Sequence, residues 1–316
     1  MKKRISVLLI LVLVAMAVLA ACGGNGASLT LPDGKKLFED AATKETQAAY
    51  STTKMLFDMD MAESGTALKM KMDISIEAND DVSITTMDMD IMGVAHKETM
   101  YTDTAAGLAY FKGADGIWYS FPQEEANLSS LGGMFAGSGV LDDQSMAMLQ
   151  LFIKEYKTME KVTIEGQDMY KIQLVLDGEK LYNLMKLGMG DSGEISAQEE
   201  AMVKAVLQKL FDSVEMYYYV DVKGGWFSGY SSVIGEEFMK TIQNMSTLFG
   251  GTTTQVSGTF TGHSESYQLS SKKELSLPDE IKSATPITSE EELYEKFQML
   301  QYIDGLSEMM GGMPSL

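Results

Sequence analysis

Cysteine and histidine are almost absent from this sequence of 316 residues, in which Cys22 is the only cysteine and His96 and His263 are the only histidines. A single cysteine excludes an intramolecular disulfide and a zinc site made of cysteines. Two histidines on separate segments are too few for a histidine-based metal centre, and we interpret each as a solvated residue on a strand. We therefore expect no metal, no cofactor, and a fold held together by the packing of apolar side chains.

Basic residues are few relative to acidic ones: 25 lysines and arginines against 45 aspartates and glutamates give a formal net charge of −20. Binding to nucleic acids and to anionic lipid headgroups depends on neutralising phosphate with Lys and Arg. A chain this acidic is repelled by both, so we expect no nucleic-acid partner.

Catalytic motifs are also missing. The sequence contains no Gly-x-Ser-x-Gly elbow, no phosphate-binding glycine loop and no His-Glu-x-x-His. Residues 51–54 and 270–273 fit Ser-x-x-Lys, but the companion Ser-Asp-Asn and Lys-Thr-Gly motifs are absent, and so short a pattern arises by chance. We predict that the protein is not an enzyme.

The one long apolar run, residues 5–18, follows a basic start at residues 2–4 and precedes the segment Leu-Ala-Ala-Cys at residues 19–22. This order is typical of a secretory signal peptide with small residues at its cleavage point. The run is shorter than the about 20 residues that a transmembrane helix needs. A signal-anchor helix, and a signal peptide cut without lipidation, are the alternatives.

The segment ending at Cys22 resembles the lipobox of bacterial lipoproteins. The resemblance implies that residues 1–21 are removed as a signal peptide and that Cys22 becomes the first residue of the mature chain. Acyl chains on Cys22, such as palmitate, would then anchor the protein to the extracytoplasmic face of a bacterial cell membrane. Residues 22–34 begin with a small and polar stretch, which predicts a flexible tether.

Alternation of apolar and charged residues predicts strands from residue 57 onward. Around a hairpin turn at residues 64–65, Asp58 falls opposite Lys71 and Asp60 opposite Lys69. A shift of one residue would place charges on the apolar face, so the pattern predicts this register. The apolar pairs are Phe57 with Met72, Met59 with Met70 and Met61 with Leu68.

The third strand, residues 82–91, changes phase between Ile84 and Met87, so we predict a β-bulge near residues 85–86. The carboxylates of these strands are a calcium-type ligand set, but the lysines between them favour a solvated charged ladder. Beyond the bulge, the pattern places Met87, Met89 and Ile91 opposite Met72, Met70 and Leu68, and Asp88 and Asp90 opposite Lys71 and Lys69.

Methionine is abundant, with 26 copies. Its unbranched, polarisable side chain fills irregular spaces and adapts to varied apolar partners. On one face of the predicted sheet these side chains form either an ordinary core under helices or a deformable pocket for acyl chains, and both interpretations stay open. The candidate ligand-binding residues are Phe57, Met59, Met61, Met70, Met72, Met87 and Met89.

The remaining chain alternates strands and helices. We predict a meander of about six strands up to residue 121, a hairpin at residues 162–176, and strands at residues 214–222, 226–234 and 255–269. Asp33 is predicted to cap a first helix. Further helices are predicted at residues 142–157, 178–187, 196–211 and 236–249, and the Ser289–Glu292 capping box predicts one more. This order predicts an α+β fold, a curved antiparallel sheet with helices packed on its apolar, concave face.

Three segments resemble the LolA/LppX-like lipoprotein-carrier superfamily, in particular its bacterial lipoprotein branch. Besides the lipobox at Cys22, they are the strand-turn-strand at residues 110–119, the strand at residues 218–221 that turns into Trp226, and residues 275–281 around Pro278. The resemblance implies a LolA-like half-open β-barrel closed by helices, which holds lipid or another apolar molecule in its concavity. It identifies no ligand-binding residue of the family in this chain.

Together these patterns predict a LolA-like lipoprotein domain at residues 35–286, followed by a C-terminal helix and tail at residues 287–316. Our leading hypothesis is a membrane-tethered extracytoplasmic lipoprotein that binds or carries an apolar ligand in a methionine-rich concavity, lipid being one candidate. The alternative is a non-enzymatic scaffold or interaction lipoprotein of the cell envelope with a fully packed core. A cavity under the first strands favours the carrier, and a filled interior favours the scaffold.

Replacing Cys22 by Ala tests the lipobox, because it removes the only thiol of the chain. We expect Cys22→Ala to carry no acyl mass, whereas the wild-type protein is acylated and found in the membrane fraction. Intact-mass spectrometry of both fractionated proteins checks this. A Cys22→Ala product that is still membrane-bound and acylated would contradict the assignment.

Overall fold

The computed structural model describes residues 31–63, 66–123, 150–189, 197–238, 240–241 and 256–297. Cys22, most of the tether, the turn at residues 64–65 and the tail after Phe297 lie outside the described residues. So do residues 142–149 and 242–249 of two predicted helices. Within the described ranges, no helix is both long and apolar enough to cross a membrane.

Twelve strands and four α-helices make up the described fold. The strands are β1 (Tyr50–Glu63), β2 (Thr66–Asn79), β3 (Val82–Ile91), β4 (Val94–Asp103), β5 (Leu108–Lys112), β6 (Trp118–Pro122), β7 (Ile153–Ile164), β8 (Gln167–Leu176), β9 (Val214–Asp221), β10 (Phe227–Ile234), β11 (Val256–Leu269) and β12 (Thr285–Pro286). The helices are α1 (Gly34–Ala41), α2 (Gly178–Met189), α3 (Ala197–Asp212) and α4 (Glu290–Lys296), with a 3-10 helix at Asp279–Ser283.

All the strands belong to one sheet, in the order β12-β6-β5-β4-β3-β2-β1-β11-β10-β9-β8-β7. Every neighbouring pair is antiparallel except β12 and β6. Strands β12 and β7 are the two edges, so the sheet is open and not closed into a barrel. The predicted α+β class with an antiparallel, half-open sheet is therefore confirmed.

The first hairpin has the register that the charge pattern predicts. Phe57 lies opposite Met72, and Asp58 lies opposite Lys71. The Asp58 carboxylate and the Lys71 ammonium are 3.0 Å apart. Because successive side chains of a strand point to opposite faces, the sheet has a methionine face, which carries Phe57 and Met72, and a charged face, which carries Asp58 and Lys71.

The predicted bulge in β3 is wrong, because β3 pairs continuously with β2 from Ser83 to Ile91. The turn between the two strands sets this register. The side-chain oxygen of Asn79 accepts hydrogen bonds from the backbone N–H groups of Asp81 (3.0 Å) and Val82 (2.8 Å), which makes the turn tight.

Without the bulge, the pairing is shifted by two residues from the prediction. The observed pairs are Met89 with Met72, Met87 with Ile74, Ile91 with Met70, Asp90 with Lys71 and Asp88 with Asp73. The apolar residues of β3 do change face along the strand. Met87 and Met89 lie on the methionine face, whereas Ile84 lies on the charged face opposite Tyr101. The Tyr101 ring contacts the Trp118 ring at 5.8 Å, so Ile84 has apolar surroundings without a bulge.

The predicted helix at residues 142–157 is also corrected, because strand β7 begins at Ile153. The helical spacing of apolar residues there competes with pairing to β8 across a two-residue turn at Glu165 and Gly166, both of which have positive φ. Tyr156 lies opposite Leu174 in this pairing. Tertiary contacts therefore override the local period, and the predicted hairpin at residues 162–176 extends back to Ile153.

Two helix caps predicted from the sequence are confirmed. The Asp33 side chain accepts a hydrogen bond from the backbone N–H of Lys36 at 2.8 Å and starts α1. The Ser289 hydroxyl accepts from the backbone N–H of Glu292 at 3.2 Å and starts α4. The Glu292 side chain accepts from the N–H of Thr288, one residue before the cap.

The buried apolar residues form two clusters. The helix-covered cluster joins β7–β11 to α1, α2 and α3. At its centre, the fully buried Phe38 ring lies 4.9–5.3 Å from the rings of Tyr156, Tyr218 and Phe227. The methionine cluster joins β1–β6 to residues of the C-terminal segment.

After β11, residues 270–289 lead from the middle of the sheet to its β6 edge. The Lys273 ammonium binds the Glu77 carboxylate at 2.5 Å and the Tyr50 hydroxyl at 3.2 Å. The Asn79 side chain donates to the Lys273 carbonyl at 3.1 Å. These contacts hold the segment against the starts of β1 and β3 and the end of β2.

Phe38→Ala tests the importance of the helix-covered cluster. We expect it to lower the free energy of unfolding by about 3–5 kcal/mol, because it leaves a cavity among three aromatic rings. The control is Leu151→Ala, whose side chain is 61% exposed and whose effect we expect to be below about 0.5 kcal/mol. Urea unfolding followed by circular dichroism measures both, and equal small losses would contradict this role.

Glu77→Gln tests the contact with Lys273. The hydrogen bond that Lys273 donates holds the pKa of Glu77 below its usual range. A carboxylate with a lowered pKa stabilises the fold above its unfolded pKa of about 4.3, and this stabilisation is lost as pH falls through the folded pKa.

We therefore expect wild type to be more stable than Glu77→Gln at pH 7, by less than about 1 kcal/mol because the pair is partly exposed. The difference should vanish toward pH 3. Urea unfolding at both pH values measures it, with the exposed neighbour substitution Glu274→Gln as control. A difference that persists at pH 3 would contradict an ionic contribution.

Candidate functional site

The structure places the described side chains of the predicted ligand-binding residues at two depths. Met59, Met87 and Met89 are buried, with 7%, 5% and 2% of their surface exposed. Phe57, Met70 and Met72 are half-buried. The side chain of Met61 lies outside the described residues. The set therefore shares one face, but only part of it is accessible.

The buried members belong to a packed cluster on β1–β6. Its centre is Phe111, whose ring lies 5.7 Å from Tyr119, 5.8 Å from Phe121 and 4.8 Å from Phe297. From outside the sheet, the described residues contribute three side chains to this cluster: Ile287, Leu293 and Phe297. Met87 and Met89 are thus core residues in this conformation.

The half-buried members lie on the border between the two clusters. Phe57 stacks on Phe260 of β11 with ring centres 6.1 Å apart, and Phe260 contacts Phe238 at 6.5 Å. Met72 and Met100 pack against the methionine cluster without being fully buried. This border is the accessible apolar part of the methionine face.

A cavity of about 710 Å³ lies mainly on the other side of the sheet. Most of its lining residues from β1, β2 and β3 belong to the charged face. The exceptions are Phe57 and Met72 of the methionine face, which are the two predicted ligand-binding residues in the lining. We call it the charged groove. It is lined by Leu56, Phe57, Asp58, Lys71, Met72, Asp73, Asp88, Asp90, Val233, Ile234, Gly235, Glu236, Thr261, Gly262 and His263.

Ion pairs neutralise part of the charged groove. Asp58 pairs with Lys71, as predicted, whereas Asp88 pairs with Lys97 of β4 at 2.9 Å. Asp73 lies directly opposite Asp88, and like charges in that position are destabilising. No cluster of three or more His, Cys, Asp or Glu within the described ranges is arranged to hold a metal ion.

His96 and Glu98 are polar residues on the methionine face that the sequence analysis missed. His96 lies opposite Met89 and Glu98 opposite Met87, and both side chains are half-buried. The predicted solvated position is therefore wrong for His96. The signal was their phase, since His96 and Glu98 have the same parity along β4 as Met100 and Thr102 and therefore share one face with them.

The second Ser-x-x-Lys segment has structural contacts at both ends. The Ser270 hydroxyl donates to the Gln167 side chain at 3.0 Å, and Lys273 binds Glu77 and Tyr50. Ser270 is thus hydrogen-bonded to an amide, which is not a general base, so the contacts of this segment fasten residues 270–273 to the sheet.

No protein-family model and no curated protein matches this chain. Several solved structures, however, are similar to it. They include LprF from Mycobacterium bovis, with 8% identity, coverage of 78% of this chain and 96% of the other, and a TM-score of 0.33. The lipoprotein LppX from Mycobacterium tuberculosis matches with 11% identity, coverage of 77% of this chain and 99% of the other, and a TM-score of 0.30.

A LolA superfamily protein from Nitrosomonas europaea also matches, with 10% identity, coverage of 79% of this chain and 97% of the other, and a TM-score of 0.20. The chain is thus similar to proteins of the kind that the sequence resembles. At these identities and TM-scores, the similarity carries no conclusion about the function of this chain.

Proposed function

We propose that the protein is a membrane-tethered extracytoplasmic lipoprotein that binds or carries an apolar ligand, such as lipid, against the methionine face of β1–β6. The observation that carries the proposal is the unequal cover of the two halves of this face. A carrier needs an apolar surface that is sheltered from water and still accessible to its ligand.

Over β7–β11 the cover is extensive. Helices α2 and α3 bury six side chains in the helix-covered cluster, in addition to Phe38 of α1. These six are Leu181, Tyr182, Val203, Leu207, Leu210 and Phe211. Over β1–β6, the described part of the chain supplies Ile287, Leu293 and Phe297 from a short terminal segment. Among the described residues, an apolar ligand therefore has fewer covering side chains to displace over β1–β6 than over β7–β11.

The side chains at the border suit a ligand of variable shape. Met72 and Met100 are flexible and half-buried, and they lie between the packed cluster and solvent. Methionine adapts to different apolar partners at little cost in rotamer energy. Phe57 stacks on Phe260 and adds a rigid aromatic ring to the same border.

The anchor supports a lipid as the ligand. With Cys22 acylated, a tether of residues 22–34 would keep the domain within about 45 Å of the membrane surface. Lipid would then be the most abundant apolar molecule within reach. The membrane attachment and the ligand site are two parts of one proposal, and each is tested separately.

A second candidate function is supported by the charged groove. Its volume of about 710 Å³ is in the range of binding sites, and its opposed Asp73 and Asp88 favour a cationic group. The burial of Met87 and Met89 is consistent with a filled core. Together these features suit an interaction lipoprotein that binds a basic segment of another envelope component.

Native mass spectrometry of the purified wild-type protein distinguishes the two functions. We expect lipid to co-purify in addition to the acyl chains on Cys22. Met72→Gln places an amide on the apolar border and should cost about 1–3 kcal/mol of binding free energy, which is roughly 5- to 150-fold in affinity.

The matched control is Lys71→Gln, which places the same side chain one residue away on the charged face. We expect Lys71→Gln to retain the lipid occupancy of the wild-type protein. Absence of lipid from the wild-type protein, or equal loss in both variants, would contradict the carrier and favour the interaction lipoprotein.

A further inference from the structure

The C-terminal segment from Ile287 to Phe297 occupies the surface that the ligand is proposed to use. Ile287 and Leu293 are each 3% exposed, and Phe297 is fully buried. The Phe297 ring contacts Phe111 at 4.8 Å, in the same cluster as Met87 and Met89. A ligand and this segment therefore compete for the same apolar side chains.

We infer that this segment is a displaceable plug, which closes the methionine face in the empty protein and moves away when an apolar ligand binds. The inference rests on the proposed function and adds its regulation. It also assigns a role to the terminal helix, which lies outside the part of the sequence that resembles the lipoprotein-carrier superfamily.

Three polar contacts of the plug are internal and move with it, whereas the positive charge of Lys296 is also attracted to Asp115, in the turn before β6. Ser289 accepts from the N–H of Glu292, and Glu292 accepts from the N–H of Thr288. Lys296 pairs with its neighbour Glu295 at 3.1 Å. Displacing α4 as a unit breaks none of these three internal contacts.

The attachment of the plug to the sheet lies at its start. Thr285 and Pro286 pair with Tyr119 and Ser120, and the N–H of Ile287 donates to the Ser120 carbonyl at 2.8 Å. Beyond this point α4 has seven residues, and its outer surface is exposed, as the 39% exposure of Tyr294 shows. Residues 285–287 are thus suited to act as the hinge.

Hydrogen–deuterium exchange of the full-length wild-type protein tests the plug directly. The N–H groups of Leu293 and Phe297 donate to the carbonyls of Ser289 and Leu293 at 3.1 and 2.8 Å, so they report on α4. We expect these amides to exchange at least about tenfold faster in lipid-loaded than in lipid-stripped protein. Unchanged or greater protection in the loaded protein would overturn the inference.

Phe297→Ala gives a second measurement, with cis-parinaric acid as the fluorescent apolar probe. A weakened plug raises the fraction of the binding-competent state, and we expect about tenfold tighter probe binding. The control is Glu291→Ala, an exposed position on the same helix, for which we expect wild-type affinity. Equal affinity in all three proteins, or weaker binding by folded Phe297→Ala, would overturn the plug.

The two proposals fail in different ways. If the wild-type protein binds lipid while α4 keeps its protection, the carrier function stands and the plug is wrong. If no lipid co-purifies and no protein binds the probe, the carrier function fails, and the plug fails with it. If Phe297→Ala does not fold, the exchange experiment on the wild-type protein decides.

Discussion

The apolar face of an open sheet has to be covered, and the rest of this structure follows from that constraint. Twelve strands in one open sheet present a continuous row of apolar side chains that water would otherwise contact. Helices α1, α2 and α3 cover the strands β7–β11, and Phe38 of α1 lies at the centre of this contact. Over β1–β6 the described cover comes from the C-terminal segment. Among the described residues, the two halves of the sheet therefore differ in the elements that cover them.

The free energies involved make exchange between this segment and a lipid feasible. Burying side chains such as Ile287, Leu293 and Phe297 contributes about 1.5–3 kcal/mol each, roughly 5–9 kcal/mol together. Burying one methylene contributes about 0.8 kcal/mol, so an acyl chain of about ten methylenes would contribute a similar amount. The helix-covered cluster receives six side chains from α2 and α3 and Phe38 from α1, so a ligand there would have more side chains to displace.

The charged face determines the register of β1 with β2 more than it stabilises the fold. Exposed ion pairs such as Asp58–Lys71 are worth less than about 1 kcal/mol each. A slip of one residue between β1 and β2, however, would bring these charges to the methionine face, where burial without a partner is costly. The alternation that creates the apolar surface thus also prevents its misalignment. Where the pattern leaves Asp73 opposite Asp88, the like charges are destabilising, and Lys97 pairs with Asp88.

Several features could be predicted from the sequence because they depend on neighbouring residues or on strict alternation. These are the register of β1 with β2, the caps at Asp33 and Ser289, and an open antiparallel sheet with helices on its apolar face, because each follows from side-chain direction or from a local hydrogen bond. The tertiary fold decides the contacts that local patterns leave open. Residues 153–157, predicted as the end of a helix, belong to strand β7 because β8 pairs with them. Phe297 contacts Phe111 because α4 docks on a strand far away in the chain, and no local pattern encodes that contact.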